Sequence, residues 1–318
     1  MNNNIRYIIT PTIAIAWFVA IVVSIVVNHP ISTQQYEGSI AIGEVTYNSI
    51  WPVLLNSFII IFISILLNHL SQHNEMAKTD NLLPILFFTL FQSLTPALIY
   101  HHLYTHLTTL LLLVIIALLY TCYQQHRSAT QKMFVIGLLL SAATLFSAHI
   151  IYFLPLLIIG MIQMQVASAR TIAATIVGIV TPYWILWGMG WVDIAQWDFS
   201  MLAITPHIPT FSCHIIPCIG VMLIGLLAGV SNLMNVFNEN NKTRAKNGFI
   251  NITSTYTALL LIIDNNNYLQ YLPLLNSCVA LQLCYFFTSR QGRAYNIMFY
   301  TLVLTLIAYT AWIYLFQL

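Results

Sequence analysis

The stretch MFVIGLLLSAATLFSAHIIYFLPLLIIGMIQMQ at 133–165 contains no charged residue, and none lies anywhere between Lys132 and Arg170. Apolar stretches of this kind recur along the chain, in which 59% of the 318 residues are hydrophobic and only 6% are charged. A soluble domain carries charge on about a quarter of its residues. A water-soluble surface cannot be built from this composition, so the sequence predicts an all-α, polytopic membrane protein.

The apolar segments predict where the chain crosses the membrane. A helix needs about 20 apolar residues to cross ~30 Å of hydrocarbon. Segments that meet or approach this length lie at 7–27, 51–70, 83–100, 103–122, 171–191, 212–236, 249–263, 268–288 and 297–316. We therefore expect a single transmembrane domain that covers residues 1–318.

The basic residues decide how the stretch 133–165 is arranged. Lys and Arg accumulate in short cytoplasmic loops. If this stretch is a hairpin that turns near Ser147–His149, then all ten basic residues of the chain lie on one side of the membrane. A single crossing would divide them between the two sides. The hairpin predicts two short arms of about 16 residues, which brings the count to eleven membrane segments, with the N-terminus in the cytoplasm and the C-terminus outside.

In this topology the outer face has no Lys or Arg but is rich in acidic and imidazole groups. Its acidic residues are Glu37, Glu44, Asp193, Asp198 and Asp264, and its histidines are His29, His101, His102, His106, His149, His207 and His214. Two long outer loops, 28–50 and 192–211, each carry two carboxylates. Carboxylates with imidazoles are typical of acid–base catalysis and of divalent-metal sites. The alternative is a set of solvated carboxylates and interfacial histidines.

Other residues exclude several classes of function. The few charged residues are scattered among short loops and give a net charge of only +2, so nothing indicates nucleic-acid binding. The five cysteines have neither disulfide nor zinc-site spacing, so they are expected to be buried thiols. No ionisable residue falls in the middle of a span and no inverted repeat is evident, which disfavours a lipid or solute transporter. Gly225 and Gly229 predict a close helix contact, and most of the polar residues within spans, among them Asn56, Asn276 and Gln282, are expected to bond across helices.

Two apolar segments carry a resemblance to a known group of proteins. LLPILFFTLFQSLTPALIY at 82–100 and ARTIAATIVGIVTPYWILWG at 169–188, separated by paired apolar helices, resemble an uncharacterised polytopic inner-membrane family of Bacteroidota. The resemblance covers roughly residues 50–190. It implies a multi-pass protein of the cell inner membrane and carries no established activity.

The order of spans and loops is also similar, at the level of architecture, to the GT-C glycosyltransferases. These enzymes use sugars linked to a polyprenyl phosphate on the outer face, and acidic residues in their first long outer loop act in catalysis. The similarity implies a membrane-lipid donor of this kind. Because the outer face here lacks Lys and Arg, histidines or a divalent metal would have to neutralise the donor phosphate.

These observations lead to two main hypotheses. In the first, a transferase uses Glu44 or Glu37 to deprotonate an acceptor hydroxyl or to hold a metal, and Asp193 and Asp198 assist from the second loop. The leaving phosphate would be stabilised by an imidazole from His101, His102 or His207. In the second hypothesis, the protein is a non-enzymatic membrane subunit that docks a protein partner through its outer loops.

Overall fold

The computed structural model describes residues 51–73, 82–95, 98, 103–190, 215–235, 240–290 and 292–316. Within these ranges the chain is all-helical, as predicted, and contains no strand. The ten α-helices of this part of the chain are α1 (Trp51–His73), α2 (Leu83–Ser93), α3 (Leu103–Thr121), α4 (His126–Phe146), α5 (Leu154–Gln163), α6 (Ala169–Gly188), α7 (Ile215–Asn235), α8 (Asn241–Ile263), α9 (Tyr268–Ser289) and α10 (Arg293–Phe316). Short 3₁₀ helices precede α5 and α9.

Seven segments of the described chain are long and apolar enough to cross a membrane. They are Leu55–Gln72, Leu103–Thr121, Ser128–Phe146, Ala169–Gly188, Ile216–Met234, Asn265–Ser289 and Arg293–Trp312. The protein is therefore a multi-pass helical membrane protein. The predicted span at 7–27 lies outside the described residues, and the total of eleven segments and the sides of the two termini stay predictions.

Several helix bounds differ from those that the sequence predicts. Helix α2 ends at Ser93 instead of reaching residue 100, because Pro96 cannot donate a backbone hydrogen bond and disfavours helical geometry in the residue before it. Helix α8 begins at Asn241 and has 23 residues, so the short segment predicted at 249–263 is only its apolar half. Helix α4 begins at His126 and has 21 residues, so the first arm of the hairpin is a full-length helix.

The chain divides into two compact units. The first contains α1, α2 and α7–α10, and its centre is α9, which packs against α1, α2, α7 and α8. Every residue of α9 from Tyr271 to Phe287 is buried. The rings of Phe87 and Phe287 stack at 5.8 Å, and the Ser71 hydroxyl lies 3.3 Å from the Cys284 thiol.

The helices α7, α8 and α9 meet at a junction of buried amides, which we call the amide junction: Asn232, Asn251 and Gln282. Gln282 Nε2 donates to Asn251 Oδ1 at 2.9 Å, and Asn232 Nδ2 donates to the Gln282 carbonyl at 3.0 Å. The predicted close contact is confirmed, because a Cβ on Gly225 would lie 2.6 Å from Val279 Cγ2 and one on Gly229 would lie 3.4 Å from Gln282 Nε2. The small residues of α7 thus make room for the amides of its neighbours.

The second unit includes the described helices α3–α6 and contains the predicted hairpin. Helix α4 ends at Phe146, and after Ser147 the chain turns back through the 3₁₀ helix Ala148–Phe153 and α5. The turn thus falls within the predicted Ser147–His149. Two contacts close the hairpin at its base: Gln124 N donates to the Met164 carbonyl at 3.2 Å, and Gln124 Nε2 donates to Gln165 Oε1 at 2.9 Å. The chain therefore returns to the end that it left.

Helices α4 and α6 cross at two glycines. A Cβ on Gly137 would overlap the Thr175 carbonyl oxygen, and a Cβ on Gly178 would overlap the Phe134 carbonyl oxygen. The two backbones are thus in direct contact, which only glycine permits. The hydroxyls of Thr144 and Tyr183 bond further along the same two helices, so α4 and α6 are parallel. Lys132 and Arg170, which lie near the start of these helices, accordingly share one end of the second unit.

Candidate functional site

The opposite end of the second unit gathers imidazole, phenol and phenyl rings. We call it the aromatic end and define it by Tyr104, His106, Phe146, His149, Tyr152 and Tyr183. Rings of Tyr104 and Phe146 stack at 6.1 Å, which brings the start of α3 to the end of α4. His149 and Tyr152 lie on the 3₁₀ helix that follows, with ring centroids 6.2 Å apart.

Local sequence explains why polar groups reach this end. Ser147 has an extended backbone, which ends α4 and releases the next residues into a 3₁₀ helix that carries His149 and Tyr152. His106 lies in the first turn of α3 and is fully buried, at 0% exposure. Thr144 and Tyr183 share a hydroxyl–hydroxyl bond between the parallel helices α4 and α6. These groups can donate or accept protons and can bind anionic oxygen, which are the capacities that phosphate chemistry requires.

All seven predicted site residues lie outside the described residues: Glu37, Glu44, His101, His102, Asp193, Asp198 and His207. The structure nevertheless shows where two of their segments join the described chain. His102 immediately precedes Leu103, the first residue of α3, and Asp193 follows Gly190 by three residues. Leu103 begins the helix that carries Tyr104 and His106, and Gly190 follows the helix that carries Tyr183. These three residues belong to the aromatic end. The i, i+4 spacing of His102 and His106 predicts that both lie on one helical face, where a metal could bridge them, and this stays a prediction.

Asp264, the fifth acidic residue of the predicted outer face, belongs to the first unit and lies within the described residues. It ends α8, is 1% exposed, and accepts hydrogen bonds from the Tyr271 hydroxyl at 2.7 Å and from Asn267 Nδ2 at 3.0 Å. These bonds hold the turn between α8 and α9. At the other end of the unit, an Arg290 guanidinium donates to the Ser231 carbonyl at 3.3 Å and lies 4.9 Å from the Phe286 ring centre.

Neither the thiols nor the described His, Asp and Glu side chains form a second candidate site. Cys122, Cys218, Cys278 and Cys284 are free and buried, as predicted, whereas Cys213 lies outside the described part. Burial raises the pKa of the Cys122 thiol, which lies just after α3, so this thiol is a poor nucleophile at neutral pH. Among the residues that the structure describes, no three His, Cys, Asp or Glu side chains gather in a way that could hold a metal ion.

Sequence reasoning missed Tyr104, Tyr152 and Tyr183 as members of the aromatic end, and it missed Thr144 as the hydrogen-bond partner of Tyr183. Each is a common residue in an apolar span, and its importance depends on which helices are neighbours. The only sequence feature that could have indicated them is the small-residue pattern in α4 and α6, where Gly137 and Gly178 permit the crossing that aligns Thr144 with Tyr183.

Comparisons with known proteins give this chain no relative. No protein-family model matches it, and neither the curated proteins nor the solved structures contain a match.

Proposed function

We propose that the protein is a GT-C-like transferase of the cell inner membrane that takes a sugar from a polyprenyl-phosphate donor at the aromatic end. The supporting observation is the gathering of His106, His149 and the Thr144–Tyr183 hydroxyl pair at the end of the second unit where α3 begins. In the sequence, His101 and His102 come just before this end, and Asp193 and Asp198 come just after α6. Basic residues lie at the other end of the same unit.

In this proposal the chain divides the reaction between two sets of residues. Glu44 or Glu37 accepts the proton of the acceptor hydroxyl, with Asp193 and Asp198 in support. Imidazoles of His101, His102 and His207 stabilise the phosphate that leaves when the glycosidic bond to the donor breaks. His106 and His149 orient that group from within the bundle. If a divalent metal is used, the carboxylates are its oxygen ligands.

The test uses the purified full-length protein in proteoliposomes that contain a polyprenyl-phosphate-linked sugar and a soluble acceptor. We expect sugar transfer by the wild type and a fall of at least a hundredfold in Glu44→Gln or Asp193→Asn. The matched control is Asp264→Asn, whose carboxylate serves the α8–α9 turn in the other unit and whose change should leave turnover within a few-fold of wild type. Absence of transfer from any polyprenyl-phosphate donor would contradict the proposal.

A docking subunit is the second candidate, and the exposed face of α6 favours it. Trp184 is 66% exposed and Trp187 is 49% exposed, and their rings contact one another at 5.5 Å. Large aromatic side chains of this kind anchor protein interfaces, although they also suit the lipid headgroup region. Under this hypothesis Trp184→Ala removes a co-purifying protein partner, while Glu44→Gln leaves that partner bound.

A further inference from the structure

The core of the first unit contains polar atoms that have no hydrogen-bond partner among the described residues. Among them are the Thr95 hydroxyl and both amide atoms of Gln92 and Asn276. Gln92 is 0% exposed, Asn276 is 1% exposed and Thr95 is 6% exposed. Each unpaired polar group in an apolar interior costs about 1–3 kcal/mol, and buried polar groups without partners are rare in native proteins. A cluster of this kind therefore calls for an explanation by function.

Gln92 and Thr95 lie three residues apart on α2 and the turn that follows it, and Asn276 lies on α9, which packs against α2. Phe87, in the first half of α2, stacks on Phe287, near the end of α9. Helix α1 fixes their direction: Ser71, near its end, lies beside Cys284 of α9, and Asn56, near its start, bonds the Leu98 carbonyl beyond the end of α2. Helices α2 and α9 are therefore antiparallel. Asn276 precedes Phe287 by three helical turns, so it lies on the same face of α9, about 16 Å along. Thr95 lies about 12 Å from Phe87 in the same direction, within about one turn of Asn276.

Helix α2 also ends at about the same position along the axis of α9 as Asn276. It has only 11 residues, which is about half the length of a membrane span, and Leu94 and Thr95 continue it in tighter turns. From α1, Asn56 Nδ2 donates to the Leu98 carbonyl at 3.0 Å just beyond the end of α2. Interrupted helices inside membrane proteins are tolerated where their backbone lines a site or is buried in protein, and they often mark binding sites.

The chemistry of the cluster selects the ligand. Gln92 and Asn276 offer both N–H donors and carbonyl acceptors, and the Thr95 hydroxyl can act as either. In the described residues, neither α2 nor the buried part of α9 contains an Asp, Glu, Lys, Arg or His. A charged ligand would be buried without a counter-charge, which is strongly unfavourable. We infer that Gln92, Thr95 and Asn276 bind a small neutral molecule with hydroxyl groups at the end of α2.

The experiment measures whether such a molecule reaches the cluster in the full-length protein. All five native cysteines are replaced by alanine, and Thr95→Cys, Asn276→Cys or Leu275→Cys is introduced singly. Leu275 is the matched control, because it is as buried as Asn276 (1% exposed) and lies on the same helix but is apolar. The reagent is 2-hydroxyethyl methanethiosulfonate, a neutral hydroxyl-bearing compound, and glycerol is the competing ligand.

We expect Thr95→Cys and Asn276→Cys to react at least tenfold faster than Leu275→Cys, and glycerol to slow both reactions at least twofold without affecting the control. Equal rates at all three positions would overturn the inference, because the cluster would then be closed to polar molecules. Fast labelling that glycerol does not slow would also overturn it, since the cluster would be wet without binding a ligand. Thr95→Cys preserves side-chain volume closely, so it provides the result even if Asn276→Cys does not fold.

Discussion

The two units hold apolar helices together in different ways. In the second unit, α4 and α6 meet backbone to backbone at Gly137 and Gly178. In the first unit, α9 is buried on every side and is bonded to its neighbours by the amide junction. Because lipid is as apolar as leucine, burial alone does not drive helices together in a membrane, and close packing and interhelical hydrogen bonds must do so. The difference teaches that one chain can rely mainly on backbone contact at glycines in one unit and mainly on buried amide bonds in the other.

The glycine crossing should be the more sensitive of the two. In Gly137→Leu or Gly178→Leu the new side chain overlaps backbone atoms of the facing helix. Backbone atoms, unlike a flexible side chain, cannot rotate out of the way, so the two helices must move apart. We expect a loss of more than about 3 kcal/mol in the free energy of unfolding, measured by denaturation in mixed micelles, or failure to recover folded protein. Gly188→Leu on the same helix is the control, because a Cβ there meets nothing within 4 Å. Equal losses at Gly178 and Gly188 would show that the crossing does not hold the unit.

The amide junction should show a smaller, specific effect. Asn251→Leu leaves Gln282 Nε2 buried without its acceptor, so we expect a loss of about 1–3 kcal/mol in the free energy of unfolding. A double-mutant cycle with Gln282→Leu should give a coupling of about 0.6–1.7 kcal/mol. The control is the exposed amide pair Gln72–Asn68, at 3.3 Å, whose coupling should be near zero. An equally small coupling energy between Asn251 and Gln282 would show that the amide junction does not stabilise the first unit.

The two glycines of α7 allow a comparison of tight and looser packing within the first unit. A Cβ at Gly225 meets the Val279 side chain at 2.6 Å, whereas one at Gly229 meets Gln282 at 3.4 Å. We expect Gly225→Ala to cost about 1 kcal/mol or more and Gly229→Ala to cost less, because the neighbour at Gly229 need shift only slightly. The order of the two losses, measured by the same denaturation, is the test, and the reverse order would contradict the packing described here.

The smallest effect is expected at the hydroxyl pair of the second unit. Tyr183→Phe removes the bond to Thr144 without changing the packing of the ring, so it should cost about 0.5–1.5 kcal/mol. Thr144→Val should cost a similar amount, and the double variant should cost little more than either alone. Additive losses would show that the two hydroxyls do not depend on one another.

Sequence predicted the features that depend on composition and local pattern. The apolar runs located most helices, the charge distribution predicted the hairpin, and the GxxxG pattern predicted the contact of Gly225 with its neighbours. The predicted span at 83–100 extended past Pro96, the residue that ends α2 at Ser93. The start of α8 at Asn241 was not predicted, because its polar first turns are helical where other helices bury Thr243, Lys246 and Asn247. Tertiary neighbours also determine why Gln282 is paired and Asn276 has no partner in the described structure.

The candidate site was predicted less completely than the fold. The sequence predicted a site of histidines just before α3 and carboxylates after α6, and because those residues lie outside the described part of the chain, that site stays a prediction. The contribution of Tyr104, Thr144 and Tyr183 could not be predicted, since it depends on the parallel packing of α4 with α6 and on the ring contact between α3 and α4. These are long-range facts that no local pattern contains.

The central claim is that 133–165 is a hairpin, and the most direct measurement concerns its base. Gln124 and Gln165 are both exposed and in contact, so single cysteines at the two positions should be labelled by a membrane-impermeant thiol reagent from the same side of the membrane. The double variant Gln124→Cys/Gln165→Cys should also form a disulfide under mild oxidation. Labelling of the two positions from opposite sides, with no disulfide, would contradict the hairpin and the placement of the aromatic end that depends on it.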